Sequence, residues 1–393
     1  MMKLSNCLAA ALLLMPVITS AQDKKPEDSK QAFFAIFAET AVTKMVGMPE
    51  MPEMPEMPAL PPGMKLPGGI KMPSFGKPER HLTIRLWSPT IAPNDAFATL
   101  GIPDGLKLGD KLNLEIYRPK PDQTSGEVAI PNGPDGKPMK FEFVIKRYWG
   151  SSTTVRPGQP EVIDMKALSP DQQSRMREQS QKMQAGSYFY KPNWTTGHWP
   201  TSKQPGDIDK QAVMPGHYAL TTNYTGNVEI DVPDKVNFLA PIVMSEPDLS
   251  GNIDLNKYIT FTWKAVPNAL GLHASMMGMA RDHKTMILWS SSEIKAEAGY
   301  SYDYLQMAEV AALVKTTEMM EGKRITVSVP VAIFKDCDMV MFNMVGFGPG
   351  TALDKAQPLP RVQTKTTLSI MLGSPMGGMG GMGGMAEPGT GDQ

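Results

Sequence analysis

Cysteine is nearly missing from this chain, which has Cys7 and Cys337 and no others. Cys7 lies in an N-terminal stretch where Lys3, an apolar run over residues 7–17 and the small residues Thr19, Ser20 and Ala21 read as a secretory signal peptide cleaved after Ala21. An exported chain left with Cys337 alone has no internal disulfide, so a buried core must hold it together. Histidine is scarce as well. The five, His81, His198, His217, His273 and His283, include no i, i+4 pair for a helical metal site. There is no H-E-x-x-H, no cysteine pair, no G-x-S-x-G and no phosphate-binding loop. No residue is therefore nominated as catalytic or as a cofactor ligand, and the chain reads as non-enzymatic. Net charge is also lacking: 39 basic residues face 40 acidic ones. That leaves no overall basic field for nucleic acid or an anionic membrane. No later apolar run is long enough for a transmembrane helix.

Proline (36), glycine (35) and alternating apolar residues are plentiful, which suits a mainly β fold with many turns. The expected architecture is two β-sandwich-like domains with a few inserted helices and disordered Met/Pro/Gly-rich arms. The boundaries are a signal peptide at 1–21, an N-terminal helix and Met/Pro-rich linker at 22–79, a first β-rich domain at 80–234, a second at 235–372, and a Gly/Met-rich tail at 373–393. In the first domain Leu82, Ile84 and Leu86 alternate, as do Leu112, Leu114 and Ile116, then Phe141, Phe143 and Ile145. Residues 217–222 and 228–232 read as a hairpin. Helices are expected at 31–45, with Phe33, Phe34 and Phe37 on or near one face, and after the Ser169 cap. A third is expected after Asp303, with Tyr304, Met307, Ala308, Ala311 and Val314 as its apolar stripe.

Residues 258–279 organise the second half. Ile259, Phe261 and Trp263 alternate with Thr260, Thr262 and Lys264. Pro267, Asn268 and Gly271 then turn the chain into another apolar run. This strand, Trp and V-P-x-A-x-G turn resemble the second and third strands of a fibronectin type III-like sandwich. The resemblance covers about a third of the chain and implies no activity; the seven strands read at 236–243, 258–265, 270–279, 285–290, 324–333, 339–346 and 362–372 suit such a sandwich. A wider set, Y-W-G at Tyr148, G-Q-P at Gly158, G-H-W-P at Gly197, W-S-S-S-E at Trp289 and D-Y-L-x-x-A-E-V-A at Asp303, resembles a group of uncharacterised exported bacterial proteins. It implies a periplasmic or cell-surface setting.

Methionine is the compositional anomaly, with 31 residues. Met48, Met51, Met54 and Met57 fall every third residue among prolines, and Met376, Met379, Met382 and Met385 do so among glycines. Thioethers are soft neutral ligands suited to Cu(I) or Ag(I), so these eight are the candidate metal ligands. In the proline-rich ladder, residues three apart would stand about 9 Å from each other in an extended polyproline helix, too far to share one ion. Met276, Met277, Met279, Met339, Met341 and Met344 are instead expected in the core, on strands apolar on both faces. Rings at Tyr188, Tyr190, Trp194 and Trp199 form the candidate ligand-binding surface, for a glycan or peptide. The leading reading is an exported binding or structural protein of the bacterial envelope, its partner an envelope protein or glycan. A Cu(I)/Ag(I)-binding protein and a glycan-binding protein or hydrolase are the alternatives.

Overall fold

The computed structural model describes residues 31–47, 76–119, 144–168, 193–206, 208–296 and 305–373. It is mainly β, with several sheets. In chain order the first half contributes β1 (Phe33–Met45), β2 (Glu79–Ser88), β3 (Ala98–Gly101), β4 (Lys111–Asn113), β5 (Glu115–Tyr117), β6 (Val144–Trp149), β7 (Glu161–Asp164), β8 (Thr195–Trp199), β9 (Gly216–Thr222) and β10 (Val228–Val232). The second half contributes β11 (Met244–Glu246), β12 (Ile259–Trp263), β13 (Gly271–Ala280), β14 (Thr285–Ser290), helix α1 (Met307–Lys315), β15 (Met320–Glu321), β16 (Thr326–Val329), β17 (Cys337–Phe347), β18 (Thr351–Ala352) and β19 (Leu359–Gly373).

One long sheet runs β5-β8-β2-β1-β19-β17-β13-β14-β6-β7, with β15 on β13 and β18 on β19. Two smaller sheets, β10-β9-β3-β4 and β11-β12-β16, lie over it. Both cover the same side, as the even-numbered residues of β1 show. Phe34, Ile36 and Ala38 enter a core with β3, β9 and β10, whereas Val42, and Val46 just past the strand, enter a core with β12 and β16. On β19, Val362 belongs to the first core and Leu368, Ile370 and Leu372 to the second. Strand pairing therefore crosses residue 79/80 and residue 234/235, the expected boundaries. The β6–β7 hairpin also crosses over, pairing in parallel with β14. The turn after β6 covers the edge of β16: Ser328 N–H donates to Ser151 Oγ (3.0 Å) and Ser152 N–H to the Ser328 carbonyl (3.1 Å).

Residues 31–45 are not a helix. They form the 13-residue strand β1, parallel to β19 along its whole length and antiparallel to β2 from Phe33 to Ala41. The expected strand at 236–243 is also absent. That segment spans the two cores, placing Val236 and Phe238 in the first and Ile242 in the second. Its Leu239 carbonyl accepts from the Thr40 hydroxyl at 2.7 Å. The hairpin expected from 217–222 and 228–232 is present as β9–β10.

Helix α1 forms where expected, but of the described members of its expected stripe Val314 alone packs inward, and Tyr304 falls outside the described residues. Gln306 and Glu309 make a reciprocal cap at its start. Val310 is buried, with Leu313 and Val314 packed against Met319 and Phe347, while Met307, Ala308 and Ala311 are exposed. The helix can lie this close because β13 opens on Gly271, where a Cβ would sit 2.5 Å from Met319 Sδ and 2.8 Å from Val310. Just past its end, Thr317 holds φ at +62°, a left-handed conformation that costs a branched residue about 1–2 kcal/mol. Replacing Thr317 by Gly should raise unfolding stability by about 1 kcal/mol in urea melts. Ile36→Ala, at a fully buried β1 position, should lower it by about 2–5 kcal/mol.

Candidate functional site

The side of the long sheet opposite the two small sheets carries the odd-numbered residues of β1, β13, β17 and β19. Three strands there alternate with a period of two. On β13, Leu272, Ala274 and Met276 point into the core while Met277 and Met279 are 45% and 40% exposed. On β17, Val340, Phe342 and Met344 point inward, and Met339, on the other face, is 52% exposed. On β19, Ile370 and Leu372 are inside and Met371 is outside. The core expectation thus holds for Met276 and Met344. It is corrected for Met277, Met279, Met339 and Met341, whose strands are covered by a small sheet on one face only at that end.

Register turns these methionines into a row. Met277 pairs with Met341, Met341 with Met371, and Met371 with Met45 of β1. Met279 pairs with Met286 of β14, and Met339 with Gly373. Adjacent strands lie about 4.8 Å apart. One row in from the methionines the face becomes polar, with Ser369 Oγ donating to Asn343 Oδ1 at 2.8 Å.

Beyond that band the face is covered on one flank and ionic on the other. Helix α1 packs on Val345 and Phe347. His273, paired with Val345, has its pKa pushed down to about 4 by desolvation. On β1 and β19, Lys365 Nζ lies 3.6 Å from Glu39 Oε2, and Thr367 donates to Glu39 Oε1 at 2.6 Å. Further along, Phe33 stacks on Trp194 (6.1 Å between ring centres) and Phe37 meets Trp87 edge-on (6.5 Å). His198 stacks on Tyr117 at 4.7 Å, and its pKa is lowered by burial and by Arg85.

The candidate aromatic surface is not one surface. Trp199 is 1% exposed inside the first core, whereas Trp194 lies on the opposite face with Phe33. Trp194 directly precedes β8 and Trp199 ends it, and five positions along the chain put them on opposite sides. Trp199 offers no ring to a ligand. Tyr188 and Tyr190 fall outside the described residues, as do all eight candidate metal ligands: Met48, Met51, Met54, Met57, Met376, Met379, Met382 and Met385. Cys337 is buried, its thiol pushed up to about 11 by desolvation and by Asp336 and Asp338. Among the described residues no group of three His, Cys, Asp or Glu side chains could hold a metal ion. No helix among them is long and apolar enough to cross a membrane.

Comparisons with protein-family models, curated proteins and solved structures give no match. The chain's own geometry is thus the guide to its chemistry. Met371 was not singled out in the sequence, and Met45 stood there only as the start of the three-residue methionine spacing; the missing signal was register. Their place in the row depends on pairing between chain segments more than 300 residues apart.

His273 sets one pH dependence. Its folded pKa lies below the ordinary value of 6.5, so between pH 6.5 and about 4 the unfolded chain binds a proton that the folded chain refuses. Stability contributed by the neutral ring should be complete above pH 6.5 and fall as pH drops toward 4. Urea melts at pH 7, 5.5 and 4.5 should show that decline, and His273→Gln should flatten it. Parallel slopes for the two proteins would contradict this assignment.

Proposed function

We propose that this is a non-enzymatic exported protein of the bacterial cell envelope that works by binding, with the outer face of the long sheet as its contact surface. The observation that carries the reading is the exposed apolar row at one end of that face. Soluble chains seldom leave contiguous apolar surface in water without a use for it. The signal-peptide pattern at residues 1–21 supports export. The want of a catalytic motif supports binding over turnover.

Within this reading, residues 235–372 are a fibronectin type III-like unit. Support comes from β12 and β13 lying in opposed sheets with Trp263 buried between them, and from the sheet orders β11-β12-β16 and β14-β13-β17-β19. Two features depart from an ordinary unit of that kind. Helix α1 interrupts it, and β1 and β6 extend its larger sheet on either side.

The reading makes two separable demands. After osmotic shock or surface release, mass spectrometry should find a chain that begins at Gln22; an unprocessed chain confined to the cytoplasm would remove the exported reading. A photo-crosslinking residue placed at Ser275, beside the methionine row, should trap an envelope component in living cells. The same probe at Glu229, on the outer side of a small sheet, should not. Equal capture from both positions, or none from Ser275, would remove the contact surface.

A further inference from the structure

We propose that the outward methionines of β13, β17 and β19 form a thioether site for a soft monovalent cation, Cu(I) or Ag(I). The site is separate from the two methionine arms and is built by the sheet. Met277, Met341 and Met371 stand directly opposite one another on three neighbouring strands, with Met279 and Met339 beyond them on the same strands, where an irregularity shifts the β13–β17 register. Directly opposed residues place their Cβ atoms about 4.5–5.5 Å apart. Beyond Cβ each sulfur hangs on one further carbon, Cγ, with free rotation, so sulfurs from adjacent strands can close on a single ion without moving the backbone. An extended proline-rich ladder, with its spacing of about 9 Å, has to bend first.

The identity of the ion follows from the donors. Every candidate ligand is a neutral sulfur, which favours Cu(I) and Ag(I) over Zn(II), Mg(II) or Ca(II). His273 lies four residues along β13 from Met277, about 13 Å away, and belongs to the part of the face packed under α1. Cys337 is buried in the second core. Asn343 and Ser369, one row in, are already bonded to each other. The site is therefore all-thioether, and binding releases no proton.

Exposure supplies the second argument. Met277, Met279 and Met339 are among the most exposed large apolar side chains described, and they are neighbours. Leucine or valine would fill a strand position equally well, so repeated methionine on one row points to the sulfur. Met277, Met341 and Met371 are also held by strands paired on both sides, so little ordering entropy remains to be lost on binding.

The test uses the full chain and three variants. One replaces Met277, Met279, Met339 and Met341 by Leu, a milder one carries Met341→Leu alone, and the third replaces the eight arm methionines by Leu. Cu(I), kept reduced with ascorbate under nitrogen, is titrated against the chelating indicator bicinchoninate, and Ag(I) serves as a redox-inert second probe. Leu is close to Met in volume, and circular dichroism melts establish that each variant folds. The full chain should hold Cu(I) with an affinity unchanged between pH 7 and 5.5. The arm variant should retain that site, the four-site variant should bind at least tenfold more weakly, and Met341→Leu should fall between. Absence of binding by the full chain, or undiminished binding by the folded four-site variant, overturns the proposal. Loss of affinity on acidification would assign the ion to histidine or cysteine and overturn it equally.

Discussion

The pairing of β1 with β2 on one side and β19 on the other holds both cores to a single sheet. Its inward residues change allegiance halfway: Phe34, Ile36 and Ala38 belong to one core, Val42, and Val46 just past the strand, to the other. At the change sits Thr40, almost fully buried. Its hydroxyl donates to the Leu239 carbonyl at 2.7 Å and its carbonyl accepts from Thr366 Oγ1 at 3.1 Å. A buried polar group is tolerated only when paired, and each of these bonds ties the joint to a different segment of chain. Among the described residues no disulfide does this work, since Cys337 is buried and free.

The sequence made local β structure legible and long-range pairing opaque. The hairpin β9–β10 and the strands β12, β13 and β14 follow from alternation and turn residues alone. In β1, every residue from Phe34 to Ala38 is buried, which erases the alternation and leaves an apolar cluster that also suits a helix. What makes it a strand is a partner some 326 positions away, Phe33 opposite Leu359, and no local pattern carries that. The stripe on α1, Val314 apart, failed for a related reason. Met307, Ala308 and Ala311 are as apolar as Val310 and Leu313, and only the position of Phe347 on β17 decides which side packs.

The candidate surfaces divide in the same way. Trp194 and Trp199 sit in one short aromatic stretch, yet β8 sends them to opposite faces, so density of rings in sequence did not mean density in space. The methionines of β13 and β17 were visible as a group, but Met276 and Met344 point into the core and the other four point out. A strand with thioethers on both faces reads as a doubly covered one until the sheet around it is known. The outer face that results is banded, from thioether through Ser–Asn and the Glu39–Lys365 pair to stacked rings. Each band comes from a different register row of the same strands.

Because β1 and β19 run parallel, their C-terminal ends leave the sheet side by side. Met45 and Met371 are register partners, and the chain continues from them through Gly47 and Gly373, both with positive φ. Met48 follows Met45 by three residues and Met376 follows Met371 by five. The two methionine arms, at opposite ends of the sequence, are thus anchored to adjacent points on the rim of the thioether row. An antiparallel pairing would have set those anchors a full strand length apart. Any group carried on either arm meets this end of the sheet at the local concentration of a tethered reactant, independent of how dilute the protein is.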